Sequence, residues 1–287
     1  MLFEDLTPSS FAGALLHALR RGAVRLVVFA DHGAAVAARL AGRFRFDIEV
    51  RAVHGATSHP ADPAPLPVVL PGPDGAEDLL EQLRAHDLEV VLEDGCWRGE
   101  LLGLEVARIV VWPEETGGDG RLHLEAGVGR FDRDAAAAMH GGESPVAGLE
   151  RAVRTVRERR HPGAPTHPLS LMARARWLRA DALADPGLVG ACRLDAAPTT
   201  FPATSVRNDV PAAALGATEG GDDLVVVFGA GAALDLAPVA ADTRELLAPG
   251  ARLRLVVAPR DHLPATDELA ALLDPPVDVV EMAPGWS

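Results

Sequence analysis

The sequence predicts an α/β protein with parallel, Rossmann-like βαβ units at both ends, a central antiparallel β-meander and a helical connector. Three observations predict it. Residues 23–53 and 222–258 each read as buried strand, glycine turn, helix, strand. Residues 88–129 read as alternating runs broken by Asp94-Gly95 and by PEETGGDG. Residues 151–180 read as two amphipathic helices separated by a proline-rich break. The predicted boundaries are 1–145 for an N-terminal α/β domain with the meander, 146–200 for an arginine-rich connector and 201–287 for a C-terminal α/β lobe.

In order along the chain, FAGALLHALRRG after Pro8-Ser9-Ser10 puts Phe11, Leu15 and Leu19 on one helical face, with Gly22 as a stop. AVRLVVFA follows as a buried strand, and DHG leads into the small-residue helix AAVAARLAG. FDIEVRAV closes the first βαβ unit. Residues 54–77 are proline-rich and irregular, with LPVVL as a candidate short edge strand. EDLLEQLRAH is helical. In the meander Asp94-Gly95 is a hairpin signal, and three or four strands are expected. Val146, Leu149, Val153 and Val156 mark one connector helix; Leu171, Ala175, Leu178 and Ala182 mark a second. HPGAPTHP forbids their fusion, since its prolines lack the donor a helix needs. Residues 195–222, rich in proline and threonine, are expected to wrap the surface. The α/β pattern then resumes, ending in a helix at TDELAALL and a strand at VDVVEM.

Composition narrows the chemistry. The 287 residues carry a net charge of −14 and are 48% hydrophobic, globular values with room for one large domain or two ordinary ones. All 27 basic residues are arginine, so Schiff-base chemistry, a Walker P-loop and a kinase strand lysine are excluded for want of an amine. Cys96 and Cys192 have no metal or disulfide spacing. No apolar run approaches a membrane span, and the opening MLFEDLTPSS lacks the basic start of a secretory leader. A cytoplasmic protein is expected.

Four sets of candidate residues emerge. Gly229 and Gly231, in GAGAAL, follow a strand and precede a helix, where backbone N–H groups meet anions. Leu234 stands where a dinucleotide fingerprint has its third glycine, and Asp261 lies too far on to be its acid. Asp235 is a candidate cap for the helix, and Pro238 suits its first turn. Asp31, His32 and Gly33 occupy the equivalent place in the first unit. In the meander, Asp94, Glu105, His123 and Glu125 are weak catalytic candidates. Their carboxylates resemble in placement the hard oxygen ligands of a Mg²⁺ or Mn²⁺ site, although alternating acids on a half-exposed sheet ordinarily just face water. His54, His59 and Asp62 match no metal geometry, and His140 with Ser144 lacks the nucleophile-elbow pattern.

The connector raises the last question. Eight arginines fall between Arg151 and Ala180 against one acid, Glu158, within an acidic chain. Arg154, Arg157 and Arg174 are the candidate anion ligands among them, because a guanidinium fork binds phosphate bidentately. The expected majority reading is charge turned toward the protein's own acids. Nucleic acid is disfavoured by the overall acidity and by Trp177 being the sole aromatic of the window. The leading expectation is binding, with turnover left open, of a small anionic molecule such as a nucleotide or phosphorylated metabolite. No cofactor is firmly implied. The alternatives are a divalent-metal hydrolase or nuclease using the meander carboxylates, and a non-catalytic module that docks an acidic partner or a second copy of itself.

Overall fold

The computed structural model describes residues 1–112, 114, 118–128, 144–202 and 209–286. His140 lies outside them. The described residues form a mixed α/β structure of three sheets and eight α-helices. None of these helices is long and apolar enough to cross a membrane.

The first sheet has the order β1 (Leu2–Asp5), β2 (Arg25–His32), β3 (Asp47–His54), β4 (Thr57–Pro60). β1, β2 and β3 run parallel, and β4 turns back antiparallel. Helix α1 (Pro8–Arg20) begins at Thr7, whose hydroxyl accepts the Ser10 N–H while Ser10 returns the bond, a reciprocal cap that holds two otherwise orphan donors. Helix α2 (Ala34–Ala41) fills the β2–β3 crossover. The edge strand lies at Thr57–Pro60 and not at LPVVL, where Pro67 and the flanking Pro65 and Pro71 remove ladder donors; Val68 there is 81% exposed.

The meander is a second sheet, β5 (Glu89–Glu93), β6 (Cys96–Leu101), β7 (Leu104–Val111), β8 (Leu122–Ala126), antiparallel throughout. Asp94-Gly95 turns its first hairpin with both residues at positive φ, as a two-residue turn demands. Leu102-Gly103 turns the second in the same way, and leucine in that conformation gives no sequence signal. Helices α3 (Glu77–Ala85) and α4 (Pro145–Arg159) cover one face, burying Leu83, Leu149, Val153 and Val156 against Leu104 and Ile109.

Helix α5 (Pro168–Leu171) is a single turn, and α6 (Arg174–Ala184) starts afresh after Ala173 at φ +46°. Leu171 therefore leaves the stripe of Ala175, Leu178 and Ala182 and is 62% exposed. The third sheet has the order β13 (Val279–Glu281), β12 (Arg252–Val257), β11 (Asp223–Gly229), β10 (Ala212–Thr218), β9 (Ala191–Ala197). β11, β12 and β13 are parallel; β10 and β9 are antiparallel. The expected surface wrap at 195–222 is thus replaced at 195–197 and 212–218 by two paired strands. Their alanine and glycine side chains carry no β-branched signature, and the neighbouring backbone needs them small: a Cβ on Gly216 would lie 2.0 Å from the Arg193 carbonyl oxygen.

Two sheets share one core. Val225, Val227, Leu255 and Val257 face α7 (Leu236–Leu247) and α8 (Pro264–Leu272), which pack in turn on α1, α2 and the inner face of the first sheet (Leu26, Val28, Val50). The opposite face of the third sheet, Leu224, Val226, Phe228 and Val256, packs on Leu178 and Ala182 of α6. The two βαβ units are therefore not halves of one sheet.

Candidate functional site

At the carboxyl edge of the parallel strands, β11 ends at Gly229, buried among apolar side chains. A Cβ there would lie 2.8 Å from the Leu236 side chain, so this glycine lets the first residue of α7 pack down onto the strand. Leu234 turns the other way, toward Gly13 of α1, where an added Cβ would lie 3.9 Å from it. Close helix–strand approach, which the dinucleotide fingerprint assigns to its third glycine, is met here by Gly229. Gly231 turns at φ +66°. Among the described residues, the N–H groups of Gly231, Ala232 and Ala233 reach no acceptor.

Arg174, the first residue of α6, lies over this turn, its Nη2 3.1 Å from where a Gly231 Cβ would sit. Its Nη1 donates to Asp261 Oδ2 at 3.3 Å, and its Nε lies 3.4 Å from Asp209 Oδ2. Asp209 also accepts the Ala175 N–H at 3.2 Å, which ties it to the start of α6. Two carboxylates thus orient the guanidinium and leave Nη2 as the nitrogen facing the glycine turn. Asp235 stands at the N-cap of α7 without making a side-chain cap bond, against the sequence expectation. Its carboxyl is raised above the ordinary range, first by burial and then by the negative charge of Asp209.

Beyond Asp261 the same edge carries His262. Its Nε2 meets Asp267 Oδ1 at 2.9 Å and its Nδ1 meets Glu281 Oε1 at 2.7 Å. These bonds, Asp267's first, raise its pKa, so both ring nitrogens act as donors and α8 is fastened to β13.

The other candidates sit elsewhere. Asp31 and His32 end β2 and are exposed; Gly33 adopts φ +79° because a Cβ would lie 2.4 Å from the Leu6 carbonyl oxygen. Arg154 and Arg157 line an open groove of about 320 Å³ with His86, Glu150, Val153 and Glu158, and Arg157 pairs with Asp87 at 3.0 Å. Arg174 is therefore the connector arginine that meets the glycine turn.

The meander carboxylates are not gathered around a common point. Glu105 is held by Arg108 at 2.7 Å and by Arg98 at 3.5 Å, Asp94 lies 3.9 Å from Arg98, and Glu125 accepts the Trp112 indole N–H at 3.4 Å. His123 stacks on Trp112 and pairs with Asp119. Among the described residues no group of three or more histidine, cysteine, aspartate or glutamate side chains is placed to hold a metal ion.

Sequence reasoning missed Asp209 and the deep ion pairs. Arg176 and Arg179 are buried against Glu93 and Glu100, and Arg39 and Arg43 close on the fully buried Asp242 of α7. Spacing along the chain carries no trace of these partners, because each pair joins residues some 80 to 200 positions apart. Asp261-His262 did have a signal, since both follow the carboxyl end of a buried strand. No family model, curated protein or solved structure matches this chain.

Proposed function

We propose that the C-terminal lobe is a Rossmann-like unit that binds a small anionic ligand, a nucleotide or phosphorylated metabolite, at the Gly229–Gly231 turn. The observation that carries this reading is the placement of Arg174 Nη2 against Gly231, beside backbone N–H groups that reach no acceptor among the described residues. A phosphate on the turn would accept from those N–H groups at the start of α7, where the helix dipole favours negative charge, and would take its counter-charge from Arg174. Asp209 and Asp261 hold the arginine in place at the cost of part of its charge, so affinity rests on backbone donors as much as on the cation.

Thermal shift and calorimetric titration with a panel of nucleotides and sugar phosphates test it. Stabilisation of the wild type, weakened at least tenfold in affinity by Arg174→Gln and unchanged by Arg154→Gln, is expected. No stabilisation by any phosphate-bearing compound, or full binding in Arg174→Gln, overturns it.

A further inference from the structure

The meander core and the core beneath the third sheet are separated by a layer of charge. Alternation along β5 turns Val90 to the meander core and turns Glu89, Val91 and Glu93 to the opposite face. There α6 meets them with Arg176 and Arg179. The result is a single alternating chain: Arg108, Glu105, Arg98, Glu93, Arg176, Glu100, Arg179, Glu89. Glu93 and Glu100 each have two arginine partners, as does Glu105. Among the described residues Glu89, the last link, has only Arg179, at 3.8 Å, too far for a hydrogen bond. Its Oε2 is sealed from solvent without a hydrogen-bond partner, although a fifth of the side chain remains exposed. Directly across the strand pair stands Glu100, a like charge.

We propose that this seam is a pH-gated latch: Glu89 is a neutral acid while the meander is docked on α6, and its ionisation loosens that docking. Desolvation sets the direction, because an ionised carboxylate with a buried, unpartnered oxygen loses more hydration than one distant arginine returns. Burial pushes Glu89 up to about 7 from 4.5, with Arg179 and then Arg176 opposing and Glu100 and Asp181 adding to the rise. The remaining neighbours do not offset this. α3 packs on β5 through Leu80 and Leu83, and the charged residues of β9, Arg193 and Asp195, are exposed. In an opened seam Glu89 titrates in its ordinary range, so the open-to-docked ratio is lowest in acid and rises through the interval from 4.5 to 7. Each of those pKa units is a factor of ten, giving a full change of about 300-fold.

Hydrogen exchange of the β5, β6 and α6 amides on the whole chain, corrected for intrinsic rates, tests the latch between pH 5 and 8.5. The expected result is an opening equilibrium that climbs with pH in the wild type, by about 70-fold over this range because the opened state is already largely ionised at pH 5, and stays flat in Glu89→Gln. Glu89→Met serves equally should the glutamine variant fold poorly. A flat wild-type profile, a climb that survives in either variant, or a ¹³C-carboxyl titration of Glu89 near 4.5 in the wild type overturns the proposal.

Discussion

The guanidinium carbon of Arg160 lies 4.5 Å from the centre of the Trp177 ring, and the side chain is almost wholly buried. Among the described residues no carboxylate pairs with it. Instead its nitrogens donate to the carbonyls of Leu102, Leu169 and Met172, so one cation satisfies the meander's second hairpin and the helical turn leading to α6. Burial lowers its pKa to about 9, which still leaves it charged at neutrality. Arg160→Ala strands three carbonyls and opens a cavity beneath Trp177. A loss of about 3 kcal/mol is expected in urea unfolding. Arg160→Lys should recover only part of it, because a single ammonium cannot span the three acceptors as the planar fork does. A loss below about 1 kcal/mol for the alanine variant would show that the carbonyls find other partners.

Asp242 is fully buried between Arg39 and Arg43, its Oδ2 3.0 Å from the first and its Oδ1 3.3 Å from the second. Among the described residues, Asp242→Ala leaves Arg39 without a carboxylate partner and Arg43 with only Glu245, 4.0 Å away. Breaking such a site costs about 3 to 5 kcal/mol, and the melting temperature should fall accordingly. Replacing Arg39 and Asp242 together with leucines should restore a large part of that, since an apolar pair avoids the desolvation. A double variant no better than the single one would count against this account.

Asp267 and Glu281 raise the pKa of His262 above its unfolded value of 6.5. The stabilisation is therefore complete below about 6.5 and is lost as pH rises through the folded pKa. Thermal melts of wild type and His262→Gln should diverge most at pH 6 and converge by pH 9. Parallel curves across that range would place the histidine outside the stability balance.

Gly33 supports the first unit by letting the Leu6 carbonyl approach within the space a Cβ would need, 2.4 Å away, at φ +79°. Gly33→Ala meets both obstacles at once, a left-handed backbone and a backbone clash. A cost of at least about 2 kcal/mol is expected by chemical denaturation. Wild-type stability would mean that the β1–α1 connection yields freely.

What was legible in the sequence was whatever a single element announces by itself. Phe11 and Leu15 after Pro8-Ser9-Ser10 define α1, and Val225–Phe228 define a strand buried on both faces. Asp94-Gly95 declares its hairpin. What stayed hidden depends on partners. β9 and β10 read as irregular because alanine carries little strand signal and Gly216 is required by the Arg193 backbone beside it, and Leu102-Gly103 turns although leucine disfavours the conformation. At the candidate site the glycine turn and Arg174 could be named from chain context, and Asp261 from its place after a buried strand, but not Asp209, whose role exists only once α6 is laid across the strand ends. The bias of the connector toward its own acids was readable as a charge imbalance; which acid receives which arginine was not.

The helical layer shared by the first and third sheets sets the order of events during synthesis. Leu26, Val28 and Val50 are made early, yet the surface they bury against, Ala240, Ala241 and Leu269, is translated some 200 residues later. At roughly 5 to 20 residues per second, the first βαβ unit waits on the ribosome with its apolar face open for on the order of ten seconds or more. The meander closes its own local hairpins in that interval. The N-terminal unit is thus the segment that needs shelter during translation, and α8 is the helix that ends the wait.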